Sequence, residues 1–262
     1  MFGPNSIGSM SIPTLFRQGG TSGSGSSVEN KFAISLDGVD QTVRFIGSPA
    51  AATAFADVNA DNQFTFNIWF RIADIDANAN TEIWNMGTTT NYTRVFVSGS
   101  GTSINFYAAN GGPVILTSAP ITISDDTWHM FTVTSTRSTN WSTSLYLDGR
   151  ALALSLNYND SGDVIETGSM FLGKLLGSAN YDPVDIDEMS LFKTEISAAN
   201  VLYMYNNLID LTTWGDVGLG KLMWWYRFEN NTEDSAENYA DGTEINDPTY
   251  LSAVSETLPY NS

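Results

Sequence analysis

From Phe32 onward, the sequence is a succession of short segments rich in β-branched and aromatic residues, separated by turn residues at nearly regular spacing. This spacing is typical of a sandwich of β-sheets. Within residues 64–70, apolar side chains occupy every second position, so this segment presents one apolar face to a core. The candidate strands are residues 32–36, 41–46, 64–72, 81–86, 94–97, 103–108, 114–117, 129–136, 143–147, 151–156, 169–173 and 184–193. We therefore predict an all-β fold.

Two local signals refine this prediction. Asp148-Gly149 lies between two apolar runs, and such a pair favours a tight hairpin because the turn needs positive φ angles. Ser197 is suited to cap a helix over residues 198–208, where Val201 and Tyr205 share one stripe. The sequence thus predicts one short helix near the C-terminus.

The two ends of the chain differ in composition from the middle. Residues 19–27 contain only Gly, Ser and Thr, and such a run behaves as a flexible tether. Ahead of it, Ile12, Leu15, Phe16 and Arg17 form a short apolar arm that could attach to a partner, although a frayed terminus explains the same composition. We divide the chain into an extended arm (1–30), a sandwich (31–195) and a helix with an aromatic strand and acidic tail that pack on the sandwich (196–262).

The balance of charged residues excludes one function class. The chain has 29 acidic and 11 basic residues and a formal charge of −18. Nucleic-acid binding needs clusters of Lys and Arg that displace counterions, and the sequence has none. The chain also has no Cys, which excludes disulfides, thiolate metal sites and cysteine nucleophiles.

Six segments, in this order, resemble the laminin G-like or concanavalin A-like jelly-roll family. They are FAISLDGVDQTV (32–43), FTFNIWF (64–70), DTWHMFTV (126–133), LYLDG (145–149), MFLG (170–173) and VDIDEMSLF (184–192). The resemblance implies a two-sheet antiparallel jelly-roll sandwich. One segment departs from the usual order: WWYRFENN (224–231) looks like a strand that commonly precedes the opening strand, yet here it follows the helix. This arrangement and the arm are similar to structural proteins of tailed phages, particularly marine ones.

The resemblance also implies a calcium site. Asp37, Asp40, Asp185 and Asp187 lie in the two segments that often flank a structural ion in calcium-binding relatives. Carboxylates and backbone carbonyls at strand ends suit Ca²⁺, which takes about 6–8 oxygen ligands. The alternative is that Asp37 serves a turn and that Asp187 and the adjacent Glu188 face water.

Four aromatic residues are candidate carbohydrate-binding residues. Trp141, Tyr158, Tyr181 and Trp214 fall in segments that resemble loops, where their rings could stack on sugar faces. Burial as loop anchors is an equally good interpretation.

The sequence offers few candidate catalytic residues. His129 is the only histidine and begins a predicted strand, so we interpret it as structural. A glycosidase needs only two carboxylates, and this architecture hosts such enzymes. However, the closest run, Asp185-Ile186-Asp187-Glu188, looks like the closing strand of the family instead. We predict that the chain is not an enzyme and assign it no catalytic residue.

Together these observations predict a phage virion structural protein. Its single domain, arm and acidic body favour a head-decoration or cement protein, oligomeric on the particle, that contacts capsid or other virion proteins and can bind host-surface glycans. Residues 1–5 lack the features of a signal peptide and no segment is apolar enough to span a membrane, so we expect synthesis in the host cytoplasm. The alternatives are a tail-fibre adhesin or carbohydrate-binding lectin module and, third, a glycan-active enzyme.

Overall fold

The structure is a computed structural model that describes residues 30–45, 60–75, 80–88, 92–108, 114–158, 169–179, 181–207, 209–218, 220–236 and 241–252. The proposed attachment residues Ile12, Leu15, Phe16 and Arg17 lie outside these ranges. The strands are β1 (Phe32–Asp37), β2 (Thr42–Phe45), β3 (Gln63–Arg71), β4 (Thr81–Gly87), β5 (Tyr92–Val97), β6 (Ile104–Ala108), β7 (Val114–Ser118), β8 (His129–Arg137), β9 (Trp141–Leu147), β10 (Arg150–Ala151), β11 (Leu154–Tyr158), β12 (Ser169–Leu172), β13 (Pro183–Phe192), β14 (Leu222–Tyr226), β15 (Thr243–Ile245) and β16 (Thr249–Ser252). Helix α1 spans Ala198–Asn206.

The strands form two antiparallel sheets that pack face to face. The first sheet has the order β10-β9-β8-β3-β13-β1-β16, with β14 also paired to β13. The second has the order β11-β7-β6-β5-β4-β12-β2-β15. The predicted all-β, two-sheet antiparallel sandwich with a short helix near the C-terminus is confirmed. No helix in the described ranges is long and apolar enough to cross a membrane.

The core forms between the two sheets, where the predicted face of β3 is fully buried. Phe66 lies against Trp84 of the second sheet, with ring centroids 4.5 Å apart. The opposite face of β3 is buried as well, because α1 and the segment after it cover the outside of the first sheet. Trp69, on that outer face, stacks on Tyr205 of α1 at 5.6 Å. The alternation thus predicted the inner face correctly but gave no sign that the outer face is also covered.

Two predicted local features are confirmed. Asp148 and Gly149 have φ angles of 52° and 73°, as a tight primed turn between β9 and β10 requires. The hydroxyl of Ser197 accepts a hydrogen bond from the backbone N–H of Asn200 and caps α1.

The aromatic strand β14 takes an unusual place in the first sheet. β3 occupies one edge of β13 along most of its length, and β1 and β14 share the other edge end to end. β1 pairs with the first half of β13, up to Ile186, and β14 pairs with the second half, from Met189. Along this edge of β13, β14 therefore continues the row that the opening strand β1 begins.

Candidate ligand-binding groove

A groove of about 490 Å³ opens on the outer face of the second sheet, beside the turn between β1 and β2. Its volume lies within the range of small-ligand sites. We name it the Tyr181 groove. It is lined by Gly38, Val39, Asn80, Glu82, Arg94, Leu175, Ala179, Tyr181 and Asp182.

Glu82 reaches this groove because β4 contains a bulge. The register with β5 shifts between Glu82 and Trp84, so that Ile83 and Trp84 both enter the core. Glu82 pairs in register with Phe96, and Arg94 Nη1 lies 2.8 Å from its Oε1. The side chain of Glu82 is only 5% exposed. Burial raises the pKa of Glu82 to about 7, against the opposing effect of the Arg94 charge.

The ion pair between Glu82 and Arg94 leaves two polar atoms unused. Glu82 Oε2 and Arg94 Nε are both buried, and neither has a hydrogen-bond partner among the described residues. A buried acceptor or donor that lacks a partner costs about 1–3 kcal/mol. Within the described part of the chain, the pair therefore has one acceptor and one donor without partners, buried in residues that line an open groove. A ligand that supplied both a donor and an acceptor could satisfy them after a movement of these side chains.

Aromatic rings hold Arg94 in place. Its guanidinium carbon lies 4.1 Å from the ring centroid of Phe96 and within 6 Å of the rings of Tyr92 and Tyr107. These three rings are half-buried on the same outer face of the sheet. Arg94 is in register with Asn85 on β4 and with Tyr107 on β6, so the side chains of these three neighbouring strands lie side by side on this face.

Tyr181 forms another wall of the groove. It pairs with Lys174 in an isolated bridge. The Lys174 Nζ donates to its hydroxyl at 2.7 Å and lies 4.1 Å from its ring centroid. The next residue, Asp182, accepts a hydrogen bond from the backbone N–H of Glu82 at 3.0 Å, and burial raises the pKa of Asp182. The loop between β12 and β13 is thus fixed to β4, next to the ion pair.

Of the three predicted sugar-stacking residues whose side chains the structure describes, Tyr181 lies at this groove and the two tryptophans do not. Trp141 is 2% exposed and packs edge-on against Phe64 at 5.6 Å. Trp214 is 1% exposed and stacks on Tyr203 at 6.1 Å. Tyr158 ends β11, and its side chain lies outside what the structure describes. Both tryptophans are therefore buried, as the alternative interpretation held, but Trp141 begins strand β9 and does not lie in a loop as predicted.

The four predicted calcium ligands do not form one cluster. Asp37 Oδ1 accepts backbone hydrogen bonds in the β1–β2 turn, the shortest from Val39 at 2.8 Å, and this bond lowers the pKa of Asp37. Asp40 follows in the same turn. Asp185 pairs with Arg71 at 2.7 Å, and Asp187 is fully buried. Among the described residues, no group of three or more His, Asp and Glu side chains could hold a metal ion, and calcium binding stays a prediction.

Asp187 and the adjacent Glu188 do not face water. They lie in a bulge of β13, where Glu188 has a φ of 46°, at the junction between β1 and β14. Asn30 Nδ2 donates to Asp187 at 2.7 Å. Burial raises the pKa of Asp187 well above its usual value, and the adjacent Glu188 charge raises it further.

Glu188 is held by two donors from the segment that begins with β14. Trp225 Nε1 donates to its Oε2 at 2.5 Å, and Arg227 Nε donates to its Oε1 at 3.2 Å. Burial raises the pKa of Glu188 to about 7, opposed by the charge of Arg227. The cavity beside it offers about 20 Å³, which is room for one water molecule and not for a sugar. This geometry disfavours the predicted alternative of glycoside hydrolysis at residues 185–188.

His129 also has a structural environment. Its Nδ1 lies 2.9 Å from Asp148 Oδ2, while Asp148 Oδ1 accepts from the backbone N–H of Met130. The histidine thereby ties the start of β8 to the hairpin turn between β9 and β10.

Comparisons with known proteins agree with this architecture. The family model described as the concanavalin A-like lectin/glucanases superfamily matches residues 45–202. No curated protein sequence gives a significant match. The similar solved structures include a protein from Bacteroides ovatus to which carbohydrate binding has been attributed, with a TM-score of 0.57 and 14% identity over 85% of this chain and 60% of that one. A heptameric SAP-like pentraxin from Limulus polyphemus has a TM-score of 0.50 and 10% identity, over 86% of this chain and 96% of that one.

Proposed function

Because the chain belongs to the concanavalin A-like lectin/glucanases superfamily, we propose that it is a non-catalytic glycan-binding domain whose ligand occupies the Tyr181 groove. The observation that carries this proposal is the buried ion pair between Glu82 and Arg94, two residues of the groove lining in which one acceptor and one donor have no partner among the described residues. Sugar hydroxyls supply both a donor and an acceptor. The attribution of carbohydrate binding to the similar protein from Bacteroides ovatus supports the same reading.

The neighbouring surface suits a sugar as well. Sugars combine polar hydroxyls with apolar C–H faces, and sites for them pair hydrogen-bonding groups with aromatic rings. Tyr181 borders the groove itself, and Phe96 lies against the Arg94 guanidinium. The ion pair would fix the hydroxyls, with Arg94 held against Phe96, while the Tyr181 ring contacts the C–H faces.

A glycan array followed by titration calorimetry tests this proposal. Tyr181→Ala should weaken binding of the best array ligand by about tenfold or more, since stacking and the groove wall are both lost. Leu202→Ala is the control, because Leu202 is a half-exposed apolar residue on α1, which packs on the other sheet. Equal affinity of the Tyr181 variant and the control would place the ligand elsewhere, and no array ligand at all would contradict glycan binding.

We propose, further, that this domain is presented on a phage virion as a head-decoration or cement protein. The proposal rests on the resemblance to phage structural proteins. That resemblance is based in part on the order of the helix and the aromatic strand along the chain. Residues 1–27 would attach the domain to capsid or other virion proteins. Deleting them should leave the thermal melting of the sandwich unchanged and remove the protein from purified particles, and unchanged occupancy would contradict this role.

A further inference from the structure

The charges around the Tyr181 groove indicate which glycans it accepts, if the groove is the glycan site proposed above. Glu82, Arg94 and Asp182 are the charged residues among the described groove lining. They comprise two carboxyl groups and one guanidinium. The single cation is already engaged by Glu82 at 2.8 Å. An anionic sugar entering this groove would therefore meet one compensated cation and an additional carboxyl group.

The nearby Lys174 does not change this balance. Its ammonium group donates to the hydroxyl of Tyr181 and lies over the Tyr181 ring. Lys174 is also not among the described residues that line the groove. The formal charge of −18 on the whole chain adds a long-range repulsion of anions.

The free atoms of the ion pair define the complementary ligand group. Glu82 Oε2 can accept one hydrogen bond, and Arg94 can donate one while it keeps its bond to Oε1. Two hydroxyls on adjacent sugar carbons match this pair, one as donor and the other as acceptor. Since Glu82 Oε2 and Arg94 Nε are both buried, these side chains must move to meet the ligand, and changes of rotamer at binding surfaces are common.

We propose that the Tyr181 groove selects neutral sugars through a vicinal diol, with one hydroxyl on Glu82 and its neighbour on Arg94, and that it discriminates against sialylated and uronic acid glycans. This inference rests on the proposed glycan-binding function. It goes further by assigning the class of ligand and two specificity-determining residues.

Calorimetry with paired probes tests the specificity. Lactose and cellobiose are the neutral probes, and 3′-sialyllactose and digalacturonic acid are the acidic ones. The neutral probes should bind at least tenfold more tightly, and their affinity should be nearly independent of salt because no net charge is neutralised. Equal or tighter binding of the acidic probes would overturn the specificity while leaving the groove as a glycan site. Binding of no probe would count against both proposals.

Two variants connect the result to named residues. Asp182→Asn keeps an oxygen that can accept from the backbone of Glu82 but removes a charge, so it should strengthen binding of 3′-sialyllactose several-fold and leave lactose unchanged. Glu82→Gln should weaken lactose binding about tenfold, since the anionic acceptor is lost. Thermal melting of each variant checks that it is folded. Folded variants that bind all probes as the parent does would contradict the proposed roles of both residues.

Discussion

Trp225 donates its indole N–H to Oε2 of Glu188 at 2.5 Å, near the junction where the start of β1 and the end of β14 meet along the same edge of β13. The carboxyl group is buried and lies between strands from opposite ends of the chain. This contact therefore connects β14 to the bulge of β13 in the first sheet.

Removing this donor should destabilise the protein. Trp225→Phe leaves Glu188 Oε2 buried without its indole partner, which should lower the free energy of unfolding by about 1–3 kcal/mol beyond the loss of ring volume. Trp214→Phe is the matched control, because Trp214 is equally buried and its Nε1 has no hydrogen-bond partner in the described part of the chain. Urea denaturation measures the free energy of unfolding of both variants. Equal decreases in the two variants would show that the hydrogen bond contributes nothing to stability.

Stability should fall as the pH rises from about 5 to about 8. Glu82 and Glu188 have folded-state pKa values raised to about 7, from 4.5 for an unperturbed Glu. The folded chain therefore binds more protons than the unfolded chain in this interval, so the stabilisation is complete below the unfolded pKa and is lost as the pH passes the folded one. We expect a decrease of roughly 2–3 kcal/mol for each of the two groups, measured by urea denaturation at each pH.

A substitution identifies the source of this pH dependence. Glu188→Gln should reduce the slope by about half, since this side chain no longer titrates while Glu82 still does. Glu195→Gln, at an exposed site, should leave the slope unchanged. A slope that survives Glu188→Gln in full would assign the effect to other groups, Glu82 among them.

The hairpin turn at Asp148-Gly149 should tolerate no side chain at its second position. A Cβ at Gly149 would lie 3.0 Å from side-chain atoms of Leu202 and Tyr205 on α1, and its φ of +73° is unfavourable for other residues. Gly149→Ala should cost about 1–3 kcal/mol. Gly215→Ala is the control, since nothing lies within 4 Å of the added atom and its φ is not positive. Equal melting temperatures of the two variants would contradict this account.

Calcium, if bound as the sequence predicts, should involve the β1–β2 turn, where Asp37 and Asp40 lie on the surface. Added Ca²⁺ should then raise the melting temperature through mass action. Asp37→Asn should remove the increase. A melting temperature unchanged by excess EDTA, with no calcium by elemental analysis, would reject the prediction.

The sequence predicted the sheets well because their signal is local. Alternation in residues 64–70 located the inner face of β3, and Asp148-Gly149 located a turn. The burial of Trp141 and Trp214 could not be read from the sequence. Burial depends on which distant segments cover each ring. The residues next to each tryptophan in the sequence are mostly polar, and such a segment resembles a surface loop whether the ring is buried or exposed.

The Glu82–Arg94 pair was also missed, although a signal for it exists. Each residue is an isolated charge within a predicted strand or beside one, and the two strands are consecutive. An antiparallel hairpin could have suggested that opposite charges meet on its outer face. The bulge at Glu82, which sets the register, arises from packing against the core and leaves no mark in the local pattern.

The end-to-end arrangement of β1 and β14 affects how the chain is made. The second half of β13 remains unpaired on one side until residues 222–226 have been synthesised, some thirty residues after β13 itself. The nascent chain therefore carries an exposed strand edge and an uncovered Glu188 while the ribosome completes the C-terminal region. Contacts of such long sequence separation form slowly, so we expect the first sheet to close only after translation of β14, and chains truncated before Leu222 to aggregate.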